Sequence, residues 1–306
     1  MAVTINTGVT LRGLNGAFRP AFMEAVTLWK MICSYVKSTG KDESYKWLGQ
    51  LPMPTEWKGK RRTQALRDFG MTLTNLHWEE TLHIDRNEFA DDQTGQLNLR
   101  VQEMARRFAM HPDKILIDLI MAAEAALCYD GQFFFDTDHV EGESGAQSND
   151  LTYDAAAPTA PTEAEFEAAF WQAIEALAGF KDDQGEPWNL FQSFEDLSGI
   201  LCVVPVRFIR VASRVLGANA AALLNNSTNI LAGKAKLMVN PRLTWTTKFM
   251  VAKVDDPMRP FIMQDRQSVE HEIKDDKEDK EVKYMADARY NVGYGLWQKA
   301  VLTTFN

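Results

Sequence analysis

The residues most capable of metal chemistry in this sequence lie in one short span, Asp136, Asp138 and His139. Carboxylate oxygens and imidazole nitrogens are common ligands of divalent ions, so this cluster predicts, as one alternative, a metal-dependent hydrolase. The spacing matches no established metal-binding motif, and Asp and His also favour loop positions. Residue type alone therefore supports this alternative.

Paired carboxylates offer a second kind of chemistry, because Glu79, Glu80, Asp85 and Glu88 could act as general acid and base. They fall in an alternating apolar and polar stretch that is typical of a strand. Consecutive strand side chains point to opposite faces, so Glu79 and Glu80 would not meet. The sequence also lacks a G-x-S-x-G elbow, a P-loop, an H-E-x-x-H motif and a C-x-x-C pair. We therefore predict a protein that is not an enzyme, with no catalytic residues, no cofactor and no metal.

Composition favours an ordinary globular chain. Of the 306 residues, 45% are hydrophobic and 25% are charged, and the formal net charge is −9. Sequence-independent DNA binding needs clustered Lys and Arg, so any contact with DNA would involve a local basic patch. Cys33, Cys128 and Cys202 lie far apart in apolar contexts, which favours buried, reduced thiols over disulfides. No signal-peptide pattern and no apolar run of about 20 residues is present, so we expect folding in a cytoplasm.

A helical rod over residues 98–139 is predicted to organise the chain. Four apolar residues recur at helical spacing with charged residues between them: Leu97, Val101, Met104 and Phe108. Pro112 is expected to open a second helix, because proline is tolerated in the first turn of a helix. Residues 115–128 are apolar almost all round, which predicts burial on more than one side, and Gly131 provides a stop.

The first 86 residues are predicted to contain two segments without a core of their own. Residues 1–16 indicate an extended arm and residues 20–37 an amphipathic helix. Residues 45–86 indicate a long twisted hairpin, with one strand at 45–49 and a return strand that begins near Trp78. An isolated two-stranded ribbon is marginally stable in water, so both segments need a partner surface on the body or on another subunit.

Residues 162–254 alternate between helix and strand patterns, which predicts a compact α/β domain. Thr162 and Glu165 form a capping box that opens a helix ending at Gly179. The predicted elements after it are a buried strand at 200–204, a helix at 206–216 after Pro205, and strands at 235–239 and 246–254. The preceding residues 140–161 are a loop by composition.

The end of the chain returns to β structure around an acidic run at residues 270–281. This run holds seven acidic residues and three lysines, a local net charge of −4, and predicted strands at 259–266 and 281–292 flank it. The segment 58–62 carries four positive charges and is its natural complement. We predict that the two clusters meet between subunits, whereas the plainer interpretation is two independent solvated segments. The residues of this contact hypothesis are Trp57, Lys58, Lys60, Arg61, Arg62, Glu270, Glu272, Asp275, Asp276, Glu278 and Asp279.

Several stretches of this sequence resemble the major head (capsid) subunit of Mu-like bacteriophages. They are YKWLGQLP at 45–52, NEFADDQTGQ at 87–96, HPDKILIDLI at 111–120, CYDGQFFFDTDH at 128–139, KAKLMVNPRL at 234–243, RPFIMQDRQ at 259–267 and GYGLWQKA at 293–300. They follow the same order over nearly the whole chain. The loop at 140–161 and the run at 268–282 lie outside the resemblance.

The resemblance implies an α+β chain with the Hong Kong 97-type phage capsid fold. The expected parts are an N-terminal arm and helix at 1–44, an extended β-hairpin arm at 45–86, a peripheral domain with a spine helix and a β-ribbon at 87–139 and 256–289, and an axial α/β domain at 140–255 and 290–306. Segments that lack a core would then bury their apolar faces on neighbouring subunits.

The resemblance also implies a structural role. The expected function is a major capsid protein that self-assembles as hexamers and pentamers into the icosahedral head shell around phage double-stranded DNA. Expected partners are other copies of the chain, with scaffold, portal and decoration proteins as candidates, and packaged DNA contacted non-specifically, with no membrane. The expected location is the virion, after assembly in the bacterial host cytoplasm. The alternative of the same fold is a nanocompartment (encapsulin-like) shell that encloses protein cargo.

Overall fold

The fold is built mainly on two β-sheets, one of four strands and one of five. The structure is a computed structural model, and it describes residues 7–46, 48, 59, 70–85, 96–188, 191–217, 223–224, 227–276 and 280–306. The helices are α1 (Thr7–Glu24), α2 (Trp29–Ile32), α3 (Gln96–Ala122), α4 (Glu163–Gly179) and α5 (Ile209–Leu216). The strands are β1 (Cys33–Lys37), β2 (Asp42–Tyr45), β3 (Met71–Thr74), β4 (Leu76–Asp85), β5 (Asp150–Tyr153), β6 (Ile200–Val204), β7 (Leu223–Leu224), β8 (Ser227–Thr228), β9 (Lys236–Val239), β10 (Lys248–Lys253), β11 (Phe261–Asp276), β12 (Glu281–Tyr294) and β13 (Ala300–Phe305).

The four-stranded sheet has the order β1-β11-β12-β4. Its centre is a long antiparallel ribbon of β11 and β12, whose register runs from the pair Phe261 and Tyr294 to the pair Asp276 and Glu281. Strand β4 pairs antiparallel with β12, and β1 pairs parallel with β11. Helix α3 packs on β12, and α1 packs on α3. The long helix and the ribbon therefore share one apolar interface.

The five-stranded sheet has the order β5-β13-β10-β6-β9. Strand β6 is buried along its whole length, as expected of a central strand covered on both faces. Helices α4 and α5 pack together, α4 on β13 and β10 and α5 on β9. Four fully buried aromatic rings fill the interior between helices and sheet: Phe166, Phe208, Phe249 and Phe305. This part is the compact α/β unit that the alternating pattern predicted.

Local signals in residues 162–254 are confirmed. Thr162 Oγ1 accepts a hydrogen bond from the Glu165 backbone N–H, while the Glu165 carboxylate accepts one from the Thr162 N–H, which completes the capping box. Helix α4 ends at Gly179 as expected. Elsewhere in the chain too, the cysteines are as predicted, since all three are buried free thiols.

The loop assignment for 140–161 is wrong in part, because β5 lies within it and pairs with β13. None of the helices in the described ranges is long and apolar enough to cross a membrane.

The prediction for the N-terminal segment is wrong in three respects. Residues from Thr7 onward are helical rather than extended, and Pro20 lies inside α1 instead of opening a helix. Phe18 and Ala21 are buried where α1 packs on the body, and this packing overrides the weak local preference. The expected helix at 20–37 also gives way to a strand at its end, because β1 forms a parallel ladder with β11.

A short antiparallel pair lies in the region of the predicted hairpin, but it does not use the predicted strands, because only Tyr45 of the expected strand 45–49 lies in β2. Strands β2 and β3 pair antiparallel, with Asp42 opposite Thr74 and Tyr45 opposite Met71. The return strand from Trp78 was assigned to the wrong partner, since β4 pairs with β12 over its whole length. Alternation identifies a strand but not the strand with which it pairs. Pairing with β12 places β4 in a four-stranded sheet, which is more stable than an isolated two-stranded ribbon.

The central rod is one helix, so the predicted break at Pro112 is wrong. Helix α3 continues through Pro112 for 27 residues and ends at Ala122, earlier than expected. Proline in a helix interior costs about 3 kcal/mol through the lost hydrogen bond. Phe108 and Leu116 are both buried on the two sides of Pro112, so burial of a continuous apolar face offsets that cost. Asp113 accepts hydrogen bonds from the Leu28 and Trp29 N–H groups at 2.9 and 2.8 Å and so ties α3 to the start of α2.

A buried carboxylate joins the loop after α3 to the residues that lead into β13. Glu141 Oε1 accepts hydrogen bonds from Tyr129 OH, from Trp297 Nε1 at 2.8 Å and from Gln298 Nε2 at 2.9 Å. The other oxygen, Oε2, is buried without a hydrogen-bond partner among the described residues. Burial raises the pKa of Glu141, and the three donated hydrogen bonds oppose that shift.

Truncation of α3 side chains should report the depth at which each is buried. Leu116 is fully buried, whereas Leu119 is only partly buried. We expect Leu116→Ala to lower the free energy of unfolding by about 2–5 kcal/mol, because it leaves a cavity in an enclosed site, and Leu119→Ala to lower it by less. Urea denaturation of the purified protein measures both values. Equal losses would contradict the burial assigned to this helix.

Glu141 should make stability depend on pH. Since its pKa is raised above the ordinary value of 4.5, the folded state holds the proton more tightly than the unfolded chain does, and the stability contributed by Glu141 falls as the pH rises through the raised pKa. We expect the stability of Glu141→Gln relative to wild type to increase from pH 4.5 to neutral pH. Glu141→Ala should cost about 1–3 kcal/mol for each buried donor left unsatisfied.

Chemical denaturation over that pH range tests both changes, with Glu143→Gln, an exposed neighbour, as the matched control. A difference between wild type and Glu141→Gln that does not vary with pH would mean that the Glu141 carboxyl does not titrate differently in the folded state.

Candidate assembly surfaces

His139 has a structural role in the loop after α3. Its side chain is fully buried, with Nδ1 2.6 Å from an Asp130 carboxylate oxygen and Nε2 3.2 Å from Asn149 Oδ1. The ring also stacks on Trp297, with centroids 4.0 Å apart. Both ring nitrogens therefore have protein partners, and the imidazole is held against the aromatic ring at the base of β13.

The two aspartates of the same cluster support the loop backbone. Asp136 accepts hydrogen bonds from the Phe133 and Thr137 N–H groups at 3.2 and 2.7 Å, and these bonds lower its pKa. Asp138 accepts one from Gln132 Nε2 at 2.9 Å. Within the described ranges, no group of three or more His, Cys, Asp or Glu side chains is arranged to hold a metal ion. The hydrogen bonds of Asp136 and Asp138 thus give both carboxylates a role in supporting the loop.

The acidic run continues the β11–β12 ribbon. Glu270 and Glu272 are exposed on β11, and the next residue pair, Asp275 and Asp276, lies in the same strand opposite β12. The ribbon is anchored on one side by His271, whose ring lies 5.1 Å from Phe18 and 6.0 Å from Tyr284. Glu278 and Asp279 lie outside the described residues. The described acids thus belong to a regular strand.

The basic half of the predicted contact is not placed by the structure. Its residues lie outside the described ranges: Trp57, Lys58, Lys60, Arg61 and Arg62. The structure therefore does not test whether the two clusters meet, and the contact stays a prediction.

A groove of about 560 Å³ between β4 and α3 is lined by apolar and charged side chains in equal number, together with His111. Trp78 and Leu82 contribute from β4, where the alternating pattern puts them on one face. Leu99 and Phe108 contribute from α3, and Leu99 is 64% exposed. The sequence identified these residues as apolar faces of two elements but did not indicate that they form one groove.

Both edges of the four-stranded sheet are open within the described part of the chain. Strands β1 and β4 each pair with one neighbour there, so their outer backbone groups have no further strand beside them. An open edge is a template for pairing with another chain. The groove and the β4 edge adjoin, which makes this side of the molecule a candidate contact surface.

Sequence reasoning missed one charged surface, which we call the arginine row: Arg207, Arg210 and Arg214. All three are exposed on α5 and on the short 3-10 turn that precedes it. The row stands out in a chain of net charge −9. The available signal was the spacing of three arginines at i, i+3 and i+7, which puts them on adjoining faces of one helix.

A protein-family model described as the Mu-like prophage major head subunit gpT matches residues 9–161 and 244–304. The chain is 30% identical over 174 residues to the Mu-like prophage FluMu major head subunit of Haemophilus influenzae, covering 55% of this chain and 54% of that protein. It is 34% identical over 139 residues to the major capsid protein of Escherichia phage Mu, covering 44% and 46%. The chain thus spans about half the length of the curated relatives it matches.

Solved phage capsid structures share the fold. A chain of the bacteriophage JBD30 procapsid superimposes with a TM-score of 0.57 at 21% identity, covering 100% of this chain and 77% of that one. A chain of the bacteriophage PhiM1 mature capsid gives a TM-score of 0.57 at 12% identity, covering 92% and 87%. A virus-like particle from Pyrococcus furiosus gives 0.54 at 8% identity, covering 95% and 98%.

The two matched ranges of the family model cover well over half of the chain and include strands of both sheets, the long helix α3 and the β11–β12 ribbon. The loop residues around His139 and the base of β13 also fall within them. The chain therefore belongs to the Mu-like prophage major head subunit gpT family.

Proposed function

We propose that this chain is the major capsid protein of a phage head, which self-assembles as hexamers and pentamers into an icosahedral shell around double-stranded DNA. The observation that carries the proposal is the family match over both sheets, together with the fold shared with the JBD30 procapsid chain. The open sheet edges and the groove support it, because a shell subunit has to complete such surfaces with its neighbours.

The Hong Kong 97-type arrangement accounts for the parts of the chain. We assign residues 1–44 to the N-terminal arm and helix, of which β1 joins the four-stranded sheet, and 45–86 to the extended hairpin arm, of which β4 joins the same sheet. Residues 87–139 and 256–289 form the peripheral domain with α3 as spine helix, and 140–255 with 290–306 form the axial domain. Support comes from the two separate sheets. It also comes from Val26, which follows α1 and is 81% exposed in a single copy, as expected of an apolar residue that a neighbouring subunit covers.

The partners follow from this role. Copies of the chain are the principal ones, with scaffold, portal and decoration proteins as further candidates and packaged DNA as a non-specific contact. The subunit assembles in the host cytoplasm and ends in the virion. The second candidate function, a nanocompartment that encloses protein cargo, rests on the likeness to the Pyrococcus furiosus particle. The head subunit is favoured because the sequence relatives are phage proteins.

Images and contents of purified particles should distinguish the two functions. We expect electron microscopy of particles from the producing bacterium to reveal icosahedral shells. Nuclease treatment followed by extraction should release protected double-stranded DNA. A matched sample of the purified unassembled subunit, treated in the same way, controls for adhering nucleic acid. Shells that hold protein cargo and no DNA would favour the nanocompartment, and the absence of any shell would contradict both.

The acidic run and the basic segment 58–62 form a contact between adjacent subunits in this proposal. Support comes from the exposure of Glu270 and Glu272 and from the local net charge of −4 over residues 270–281. An exposed ion pair contributes only about 0–1 kcal/mol and is screened by salt. A shell repeats the contact at every equivalent interface, and complementary charge fixes its register. Trp57 supplies an apolar anchor beside the lysines and arginines.

Charge reversal tests this contact. Arg61→Glu with Arg62→Glu should lower the yield of shells, because like charges then face each other, and Asp275→Lys with Asp276→Lys should partly restore it in the combined variant. Sedimentation of assembly mixtures at several salt concentrations gives the yields. Arg106→Glu with Lys114→Glu, an equal charge change at exposed positions of α3, is the control. Normal assembly of the first variant, or no rescue in the combined one, would mean that both segments are solvated and independent.

A further inference from the structure

A basic cavity lies between α5 and the N-terminus of α4. Its volume is about 460 Å³, and all three members of the arginine row line it, together with residues 159–163. Arg214 forms an ion pair with Glu163, the first residue of α4. Three arginines and one glutamate leave a local net charge of +2. The amino end of a helix adds partial positive charge, so the cavity is suited to carboxylates or phosphates.

The opposite end of α4 carries acidic residues. Two loops pack there, with the Glu143 N–H donating to the Asp183 backbone oxygen at 3.0 Å. Gly142 has a φ of 56°, and a Cβ at this position would lie 2.1 Å from the same oxygen, so only glycine permits the approach. We call Glu143, Asp183 and Glu186 the acidic corner. Glu143 and Glu186 are exposed. When the buried Asp182 and the neighbouring Lys181 are counted with these three acids, the local net charge is −3.

The two charged surfaces lie at opposite ends of one rigid element. Helix α4 has 17 residues, and at 1.5 Å per residue its ends are about 25 Å apart. A single copy therefore cannot bring the arginine row onto its own acidic corner. A second copy, placed head to tail, can. Contacts that join two different patches of identical subunits generate rings when the rotation closes.

We propose that the arginine row of one copy binds the acidic corner of the next copy in a head-to-tail contact between α4 ends. The inference rests on the proposed function, because a shell of hexamers and pentamers requires such ring-forming interfaces. Arginine suits this partner, since its planar guanidinium binds carboxylates through two parallel hydrogen bonds.

Apolar side chains beside the arginines favour a protein partner over DNA. Val206 and Ile209 are 50% and 45% exposed next to Arg207 and Arg210. Apolar groups gain nothing from phosphate oxygens, whereas arginine flanked by apolar contacts is typical of protein interfaces. The two local net charges, +2 and −3, are opposite in sign, and the dipole of α4 reinforces both ends.

Reciprocal charge reversal with electron microscopy tests the contact. Arg207→Glu with Arg210→Glu should lower the shell yield about tenfold, because like charges then oppose at every ring contact. Glu143→Lys with Glu186→Lys should lower it similarly, and the four changes together should restore assembly. Circular dichroism and thermal melting of the unassembled subunits verify folding. Arg207→Gln with Arg210→Gln supplies a milder variant, which should assemble in reduced yield, and Arg106→Glu with Lys114→Glu is the control.

Assembly of the wild-type protein distinguishes failure of the proposed function from failure of the head-to-tail contact. If wild type forms no shells, the proposed function fails. If wild type forms shells and the arginine variants form them in equal yield, the head-to-tail contact is overturned while the function stands. Reduced yield without rescue in the fourfold variant also overturns it. A mobility-shift assay with double-stranded DNA tests the competing partner: normal assembly with weakened DNA binding would assign the arginine row to phosphate instead.

Discussion

The antiparallel pairing of β11 with β12 is the interaction on which the larger part of this structure depends. Strand β12 alternates between buried and half-buried positions along most of its length, so one face of the ribbon is a continuous apolar surface. Helix α3 lies on that face, and two tyrosines of β12 bond to it: Tyr290 OH lies 2.8 Å from His111 Nδ1, and Tyr294 OH donates to the Leu119 carbonyl at 2.8 Å. Strands β1 and β4 then extend the sheet on either side.

This dependence explains why elements with weak local signals take up regular structure. Strand β4 carries polar residues at most outward positions and would not be stable as half of an isolated ribbon. Helix α1 has glycines and a proline within it, yet Phe18 reaches the ribbon through Tyr284 and His271. Burial of apolar side chains against the sheet stabilises these elements by more than their unfavourable intrinsic propensities destabilise them. In the proposed shell, apolar side chains that are exposed in a single copy, such as Leu99, would be buried in the same way against a neighbouring subunit.

Charged and apolar side chains would make different contributions to the proposed contacts between subunits. Individual exposed ion pairs are weak, so neither the arginine row nor the acidic corner would hold two copies together alone. Repetition around a ring multiplies each small term, and opposite charge excludes wrong registers through like-charge repulsion. In the proposed head-to-tail contact, exposed apolar side chains such as Val206 and Ile209 would supply the non-directional part. A chain of net charge −9 can thus associate with itself through local patches of opposite sign.

Elements with local signals can be predicted from the sequence alone. The capping box of Thr162 and Glu165 and the buried strand β6 followed from residues near one another in the chain, whereas the class of protein followed from a resemblance of seven stretches spread along it. Three outcomes depend on tertiary contacts: α3 runs through Pro112, β4 pairs with β12, and the ring of His139 stacks on Trp297. Of the surfaces, the acidic run was predicted as a charged segment between strands, whereas the extension of β11 through Asp276, the arginine row and the groove were not predicted. The reason is physical: each of these outcomes depends on a partner far away in sequence, and local periodicity carries no information about which distant face will be there.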